Sequence, residues 1–206
     1  MRSKFLLGVA ATACAALLLH SQAAAAAPPK PAKVAGQLFK AWLADDPAAA
    51  AALASPAAVK TLFAYKFRAP DTGPHCTGGV CDFRHTSVTV PGGLNGIRMI
   101  VSGSKVTRVY TSRHLTKPSA AAKWLYGAYQ RGDRHAALEV ASTGAVKQQF
   151  KVKYDPNSTP HQFMGCSKEP KGYVCHWYYE GGSVGMHVRG TKARGYHVSF
   201  LTYVAD

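Results

Sequence analysis

Two cysteine pairs with histidines beside them form the sharpest chemical pattern in the sequence. They are His75-Cys76-x4-Cys81-x3-His85 and Cys166-x8-Cys175-His176. Two cysteines and two histidines can complete a tetrahedral zinc site. However, the spacing and the histidine positions differ between the two pairs, whereas a shared metal geometry would preserve them. The pattern therefore favours the disulfides Cys76–Cys81 and Cys166–Cys175, with zinc as the lesser alternative.

Signatures of enzymatic catalysis are thin in this chain. The protein has ten acidic residues, and the adjacent pair Asp45-Asp46 is typical of a break between helices. The glycine-rich turns lack the strand–loop–helix context that a phosphate-binding loop requires. We therefore predict a non-enzymatic protein with no catalytic residue, no metal and no cofactor. A secreted hydrolase using histidine with lysine or arginine is a lesser alternative.

A group of histidines is predicted on the outer face of the last sheet. If Trp177, Val188 and Val198 point inward, alternation along the strands directs their neighbours outward. These outward residues are His176, Tyr178, His187, Arg189, His197, Leu201 and Tyr203. Such histidines could bind metal or sense pH. The main interpretation is that they are solvated or lie in an interface. His176, His187, Arg189 and His197 are therefore candidate binding residues; the corresponding places in the first half hold Arg84, Arg98 and Ile100.

A basic stripe occurs twice, at Lys60, Lys66 and Arg68 and again at Lys147, Lys151 and Lys153. Alternating lysines on an exposed strand commonly prevent pairing between sheet edges. The functional alternative is a contact for phosphate groups, whose binding would weaken steeply with salt. The aromatic residues between these lysines are predicted to be buried, which disfavours a surface on which nucleic-acid bases stack.

The net charge points to the same class of partner. The protein has 25 basic and 10 acidic residues, a formal net charge of +15. A charge of this size predicts solubility and attraction to polyanions. Outside a bacterial cell the available polyanions are wall polymers, anionic lipid and shed nucleic acid, which would be bound without sequence preference.

The first residues resemble a secretory signal peptide, predicted at 1–27. Arg2 and Lys4 precede an apolar run at 5–19, and alanines at 23–27 offer cleavage sites. The run is shorter than the roughly 20 residues of a membrane-spanning helix. Cys14 raises a lipid anchor as an alternative, but the apolar run continues beyond it.

Cleavage of this segment would leave 23 basic and 10 acidic residues, a net charge of +13, and four cysteines. An even number of cysteines in an oxidising compartment favours disulfides. We therefore expect a secreted protein outside the bacterial cell membrane, with no transmembrane segment in its mature chain and an oligomeric state that the sequence does not specify.

The elements that position these residues occur twice. Residues 35–67 align without a gap to residues 122–154, 87 positions later, and 12 of the first 29 pairs are identical. Asp46/Asp133, Ser55/Ser142 and Phe63/Phe150 are among the identical pairs. We predict a signal peptide at 1–27, a lead-in at 28–34, one unit at 35–115, a linker at 116–119 and a second unit at 120–206.

Each unit is predicted to be α+β, with about three helices followed by a four-stranded antiparallel sheet. Apolar residues recur every three or four positions from Val34, and Asp-Pro and Ser-Pro pairs begin two shorter helices. Phe63, Tyr65 and Phe67 alternate with polar residues, which predicts the first strand; Phe150, Val152 and Tyr154 repeat the pattern facing inward. Cys76 and Cys166 are expected in the loops that follow, and further strands are predicted at 80–90 and 173–180.

This order of elements resembles the NTF2-like (cystatin-like) superfamily, and in particular its small extracytoplasmic bacterial members. The shared motif is Leu/Phe-x-Ala-Trp/Tyr followed by an Asp, found at Phe39 to Asp46, with the segment from Tyr126 to Asp133 as its counterpart. The resemblance implies helices packed on a curved sheet, with a pocket between them. That pocket would lie under the first helix of each unit, lined by Trp42 or Tyr129.

The main functional prediction is a secreted, non-enzymatic binding protein. Its basic surfaces would associate with anionic envelope polymers or with a partner protein. A small-ligand pocket at Trp42 or Tyr129 is the alternative, and a hydrolase the least favoured one.

Overall fold

Helices and strands follow one another in the same order in both halves of the chain. The computed structural model describes residues 29–158 and 161–205. The first half has α1 (Pro31–Leu43), α2 (Pro47–Leu53), α3 (Pro56–Phe63), β1 (Thr72–Thr77), β2 (Val80–Arg84), β3 (Gly96–Ser102) and β4 (Lys105–Thr111). The second half has α4 (Pro118–Gln130), α5 (Arg134–Leu138), α6 (Thr143–Gln149), β5 (Gln162–Glu169), β6 (Gly172–Tyr179), β7 (Gly182–Thr191) and β8 (Gly195–Ala205). The α+β class is confirmed.

The helix boundaries depend on capping residues that repeat with the spacing of 87. The carboxylates of Asp46 and Asp133 each accept a hydrogen bond from the backbone N–H three residues further on, at 2.9 Å. The hydroxyls of Ser55 and Ser142 do the same at 3.2 and 3.1 Å. An N-cap of this kind typically stabilises a helix by about 1 kcal/mol. The same local chemistry therefore starts the two short helices of each half.

Each half forms its own antiparallel sheet, with strand orders β1-β2-β3-β4 and β5-β6-β7-β8. The long helix packs on one face of each sheet and brings an aromatic stack to its centre. Phe39 of α1 stacks on Phe83 at 4.2 Å between ring centroids, and Tyr126 of α4 stacks on Trp177 at 3.9 Å. Two hydrophobic cores result, in agreement with a tandem repeat.

Both predicted disulfides are formed, but Cys76 and Cys166 lie on strands instead of in loops. Cys76 pairs directly with Cys81 across β1 and β2, and Cys166 pairs with Cys175 across β5 and β6. Closing loops of this size stabilises the folded chain by about 2–3 kcal/mol each on chain-entropy grounds. Because the cysteines are bound to each other, their sulfur atoms are not available as zinc ligands.

The strands predicted from Phe63 and Phe150 are wrong. Phe63 is the last residue of α3, and Phe150 is the C-terminal cap of α6. Residues 64–71 and 150–158 lack strand pairing. The apolar alternation in the first copy reflects residues that fold back over the helices, and in the second copy Val152 is 69% exposed instead of facing inward.

Several predicted boundaries also moved. Pro31 and Pro118 begin α1 and α4, so the helices extend into the predicted lead-in and linker. Proline suits the first turn of a helix because its missing N–H has no partner there in any case. The strand predicted over 80–90 ends at Arg84, and the residues up to Asn95 form an irregular loop.

The predicted outward direction of Leu201 and Tyr203 is also wrong. The pairing of β7 with β8 shifts between His187 and Val188, so Val198 pairs with Val188 whereas Leu201 pairs with Met186. The extra residue is a β-bulge, which reverses the side-chain alternation beyond it. Leu201 is consequently 4% exposed in the core, and Tyr203 lies opposite the buried Val184 on the inner face.

The two halves meet where the segment around α5 covers the outer face of the first sheet; we call this contact the junction. The N–H groups of Gly93 and Leu94 donate to the carbonyls of Ala141 and Leu138, at 2.8 and 3.2 Å. Gly92 has a φ of 86°, and a Cβ atom there would lie 2.5 Å from the Leu138 carbonyl oxygen. Glycine is therefore required for this close approach.

A buried ion pair lies at the centre of the junction. Glu139 is 2% exposed, and its carboxylate accepts hydrogen bonds from the Thr111 N–H at 3.1 Å and from Arg113 Nε at 2.7 Å. Burial raises the pKa of Glu139, and the Arg113 guanidinium opposes that rise. The Arg113 guanidinium also lies 3.6 Å from the centre of the Trp124 ring.

Among the described helices, none is long and apolar enough to span a membrane.

Candidate ligand-binding cleft

The second half contains a cleft of about 600 Å³ between the end of α4, the residues after α6 and the open end of the sheet. Ligand sites in proteins commonly have volumes of roughly 300–1,000 Å³. Its walls are Tyr129, Gln148, Gln149, Lys151, Val152, Lys153, Tyr154, Asp155, Ser158, His161, Tyr179, Glu180, Val184 and Tyr203. Tyr129, predicted to line a pocket, is one of them.

The corresponding space in the first half is filled by a tyrosine. Tyr65 is 9% exposed, and its ring lies against Trp42, the counterpart of Tyr129, at 6.0 Å between centroids. Its hydroxyl is 2.8 Å from Nε2 of His85. His85 corresponds to Tyr179 when β2 is aligned with β6 by their cysteines, Cys81 and Cys175. The structure thus places Trp42 against this tyrosine.

A difference in side-chain size at one aligned position accompanies the difference between the two halves. The counterpart of Tyr65, 87 positions later, is Val152. Its side chain is too short to span the cleft and points to solvent. The space between Tyr129 and Tyr179 is therefore open where the space between Trp42 and His85 is occupied.

Two polar atoms in the cleft lining have no hydrogen-bond partner among the described residues. They are the side-chain oxygen Oε1 of Gln149 and Nδ1 of His161. Gln149 is 7% exposed, and an unpaired buried polar atom costs about 1–3 kcal/mol. Burial lowers the pKa of His161, so its ring is neutral at pH 7. Both residues line the cleft, but the two unpaired atoms are themselves closed to solvent, so they do not by themselves mark a ligand contact.

Phenol groups from different parts of the chain converge on the cleft. The hydroxyls of Tyr129, Tyr179 and Tyr203 form no hydrogen bond with any other described residue. Burial, together with the nearby phenol of Tyr154, raises the pKa of Tyr129; burial and the phenols of Tyr129 and Tyr179 raise that of Tyr203. These groups therefore stay protonated at neutral pH and can donate hydrogen bonds.

The histidines predicted on the outer sheet face do not converge on one point. His187 is fixed between the Glu169 carboxylate, 3.0 Å from its Nδ1, and the Thr202 hydroxyl, 3.1 Å from its Nε2. Arg189 also donates to Glu169, whereas His176 is exposed on a neighbouring strand. Burial and the charge of Arg189, opposite His197 in the sheet, lower the pKa of His197.

Metal-binding geometry is not found in the described part of the chain, where no three His, Cys, Asp or Glu side chains form a suitable group.

In the first sheet, the positions that correspond to these histidines hold other residues, with other contacts. Arg98 donates to Asp82 at 2.7 and 2.8 Å, Arg84 donates to the same carboxylate, and Ile100 packs against the second core at the junction.

The predicted basic stripe lies on helices and loops instead of on strands. Lys60 and Lys147 belong to α3 and α6, and the other four residues follow those helices. Arg68 is paired with Asp71. All fourteen described lysines are exposed, and every ion pair between described residues uses arginine or histidine as the cation. The charges of these lysines therefore form no ion pairs with the described residues.

One short motif was missed by the sequence analysis. Residues 181–185 match Gly-x-Ser-x-Gly, the pattern of the nucleophile elbow of α/β-hydrolases, which requires a strand–turn–helix. The structure places these residues at the turn between β6 and β7 and at the start of β7. Ser183 also has no hydrogen bond to a described histidine. The motif therefore lacks the geometry of a catalytic serine.

Comparisons with protein-family models, with curated proteins and with solved structures gave no match. The functional assignment therefore rests on the residues of the chain itself, and the NTF2-like resemblance remains a prediction.

Proposed function

We propose that the protein is a secreted, non-enzymatic binding protein with a small-ligand site in the cleft of its second half. The observation that carries this proposal is the exchange of Tyr65 for Val152 at corresponding positions. It leaves one cleft filled and the other open, with aromatic walls and unpaired polar atoms. Two disulfides also support secretion, because such bonds persist in oxidising compartments.

Filling the cleft is expected to abolish ligand binding. In Val152→Tyr the new ring would occupy the space that Tyr65 occupies in the first half. We expect fragments that bind the wild-type protein, detected by ligand-observed NMR, to lose at least about tenfold in affinity, equivalent to about 1.4 kcal/mol.

Val88→Tyr is the matched control, because Val88 is also exposed but lies outside the cleft. It should leave binding unchanged. Fragments that bind Val152→Tyr as tightly as wild type, or a fragment library that yields no ligand for the wild-type protein, would contradict the proposal.

A second candidate function is association with anionic envelope polymers through the exposed lysines. It is favoured by their complete exposure and by the absence of ion pairs to them within the described residues. Binding of this kind releases counterions, so its affinity should fall steeply with salt. Nucleic acid would then be bound without sequence preference, through the same charges.

Removing three of these lysines should reduce the salt dependence of binding. We expect the triple variant Lys60→Gln, Lys66→Gln, Lys147→Gln to bind a short DNA duplex with a logarithmic salt slope smaller by up to about 3. Arg68→Gln is the control, because Asp71 already pairs with that charge. Cosedimentation with purified cell wall and titration with the duplex measure the effect; indifference of the wild-type protein to both polymers at low salt would refute this function.

A further inference from the structure

The cleft of the second half has features that select among ligand classes. We propose that it binds an uncharged saccharide of one to three rings. This inference rests on the proposed ligand-binding function and specifies its ligand.

The charges in the lining of the cleft are balanced. Although the protein is strongly basic as a whole, the cleft lining contains two lysines, Lys151 and Lys153, and two acids, Asp155 and Glu180. These charges cancel, and His161 is neutral at pH 7 because burial lowers its pKa. A site for an anion would be expected to concentrate positive charge at the ligand. The balance favours a neutral ligand.

The walls of the cleft are largely aromatic. Tyr129 and Tyr154 meet nearly edge to face, with 5.5 Å between ring centroids and 78° between planes. His161 and Tyr179 lie 4.7 Å apart at 41°. Tyrosine combines a large apolar face with a polar tip. The cleft therefore offers flat apolar surfaces bordered by hydroxyls, which matches a pyranose ring with its C–H faces and its equatorial hydroxyls.

The cleft also offers hydrogen-bonding groups. The hydroxyls of Tyr129, Tyr179 and Tyr203 pair with no other described side chain, and each can donate and accept a hydrogen bond. A purely apolar ligand would displace water from these hydroxyls without replacing its hydrogen bonds, which is unfavourable. A ligand rich in hydroxyls can satisfy donors and acceptors together. These requirements are met by a saccharide and not by a fatty acid or a hydrocarbon.

The test is a titration of the whole protein with neutral trisaccharides by isothermal calorimetry and saturation-transfer NMR. The probes are maltotriose, cellotriose and N,N′,N″-triacetylchitotriose, with a trisaccharide of uronic acids as the charged comparison. We expect at least one neutral probe to bind, with less than a twofold change in affinity between 50 and 500 mM salt. The uronic acid probe should bind more weakly.

Variants locate the site and separate the possible outcomes. Tyr129→Phe, Tyr179→Phe and Tyr203→Phe should each lower the affinity about 2- to 10-fold. Tyr178→Phe is the control, because Tyr178 lies on the outer face of the sheet. Val152→Tyr should remove binding altogether.

If fragments bind the cleft and are displaced in Val152→Tyr, but no neutral saccharide binds, the saccharide assignment is wrong and the ligand-binding function stands. If a saccharide binds equally well to wild type and to Val152→Tyr, the cleft is not its site and the assignment is also wrong. If neither fragments nor saccharides bind, both proposals fail.

Discussion

Replacing Arg113 with alanine is expected to destabilise the protein by about 3–5 kcal/mol, since it removes one partner of a buried ion pair. The Glu139 carboxylate would remain buried at the junction, with only the Thr111 N–H still donating to it. The contact of the guanidinium with the Trp124 ring would be lost as well. Urea denaturation followed by tryptophan fluorescence measures the free energy of unfolding.

A double-mutant cycle identifies the unpaired charge as the cause. Glu139→Ala reproduces the residue at the corresponding position of the first half, the exposed Ala52. Because the double variant leaves no buried charge, we expect it to be more stable than Arg113→Ala alone. Arg84→Ala is the control: its pair with Asp82 is exposed on the arginine side and should contribute about 0–1 kcal/mol. Equal losses for the two arginines would contradict this account of the junction.

The loss in Arg113→Ala should depend on pH. Burial raises the pKa of Glu139 above its ordinary value of 4.5, and removal of Arg113 eliminates the main opposing influence. The folded state then binds a proton more readily than the unfolded state, so stability falls as pH rises from the unfolded pKa through the folded one. We therefore expect the deficit of Arg113→Ala to be largest near pH 7 and to shrink as the pH is lowered toward 4.5.

Leu201→Ala is expected to cost about 2–5 kcal/mol, the usual range for removing a leucine from a packed core. Phe200→Ala should cost far less, although it removes the larger side chain, because Phe200 is 42% exposed and mainly stacks on the His187 ring at 4.0 Å. The loss of stability is expected to be larger for Leu201→Ala than for Phe200→Ala because the bulge in β8 places Leu201 in the core.

Chemical denaturation of the two variants under the same conditions decides the point. Without the bulge, strict alternation from Val198 would place Phe200 in the core and Leu201 outside. A larger loss for Phe200→Ala than for Leu201→Ala would therefore show that the strand does not have the register described here.

Much of the helical part could be predicted from the sequence, because its signals are local. Asp46 and Ser55 cap helices through hydrogen bonds that span three residues, and their repeats at Asp133 and Ser142 identify the same boundaries in the second half. The disulfides could be predicted from the even number of cysteines and from their spacing.

The sheets were harder to predict because their register depends on pairing between distant residues. Nothing in the local sequence of β8 indicates that Ser199 adds an extra residue opposite β7. The alternation of Tyr65 and Phe67 is that of a strand, yet these residues follow α3 and cover the hydrophobic core beside Trp42. Tertiary packing overrides the local pattern in both places.

The cleft was predictable in part. Tyr129 was identified from its place on the long helix. His161 precedes β5 and was not identified, Tyr179 lies on β6 and was not identified either, and Tyr203 was assigned to the wrong face of β8. A useful signal was present in the repeat alignment: an aromatic residue, Tyr65, corresponds to the much smaller Val152. A loss of side-chain volume at an otherwise similar position is a sign of an open cavity.

The most direct test of the central claim, that the second half has an open site where the first is filled, is NMR mapping of a bound ligand. Amide chemical shifts of the whole protein would be recorded while a fragment or saccharide that binds is added. The account predicts shifts at Tyr129, at 149–155, at Tyr179 and at Tyr203, with Trp42, Tyr65 and His85 unaffected. Shifts centred on the first half, or spread over exposed lysines with no focus in the cleft, would contradict it.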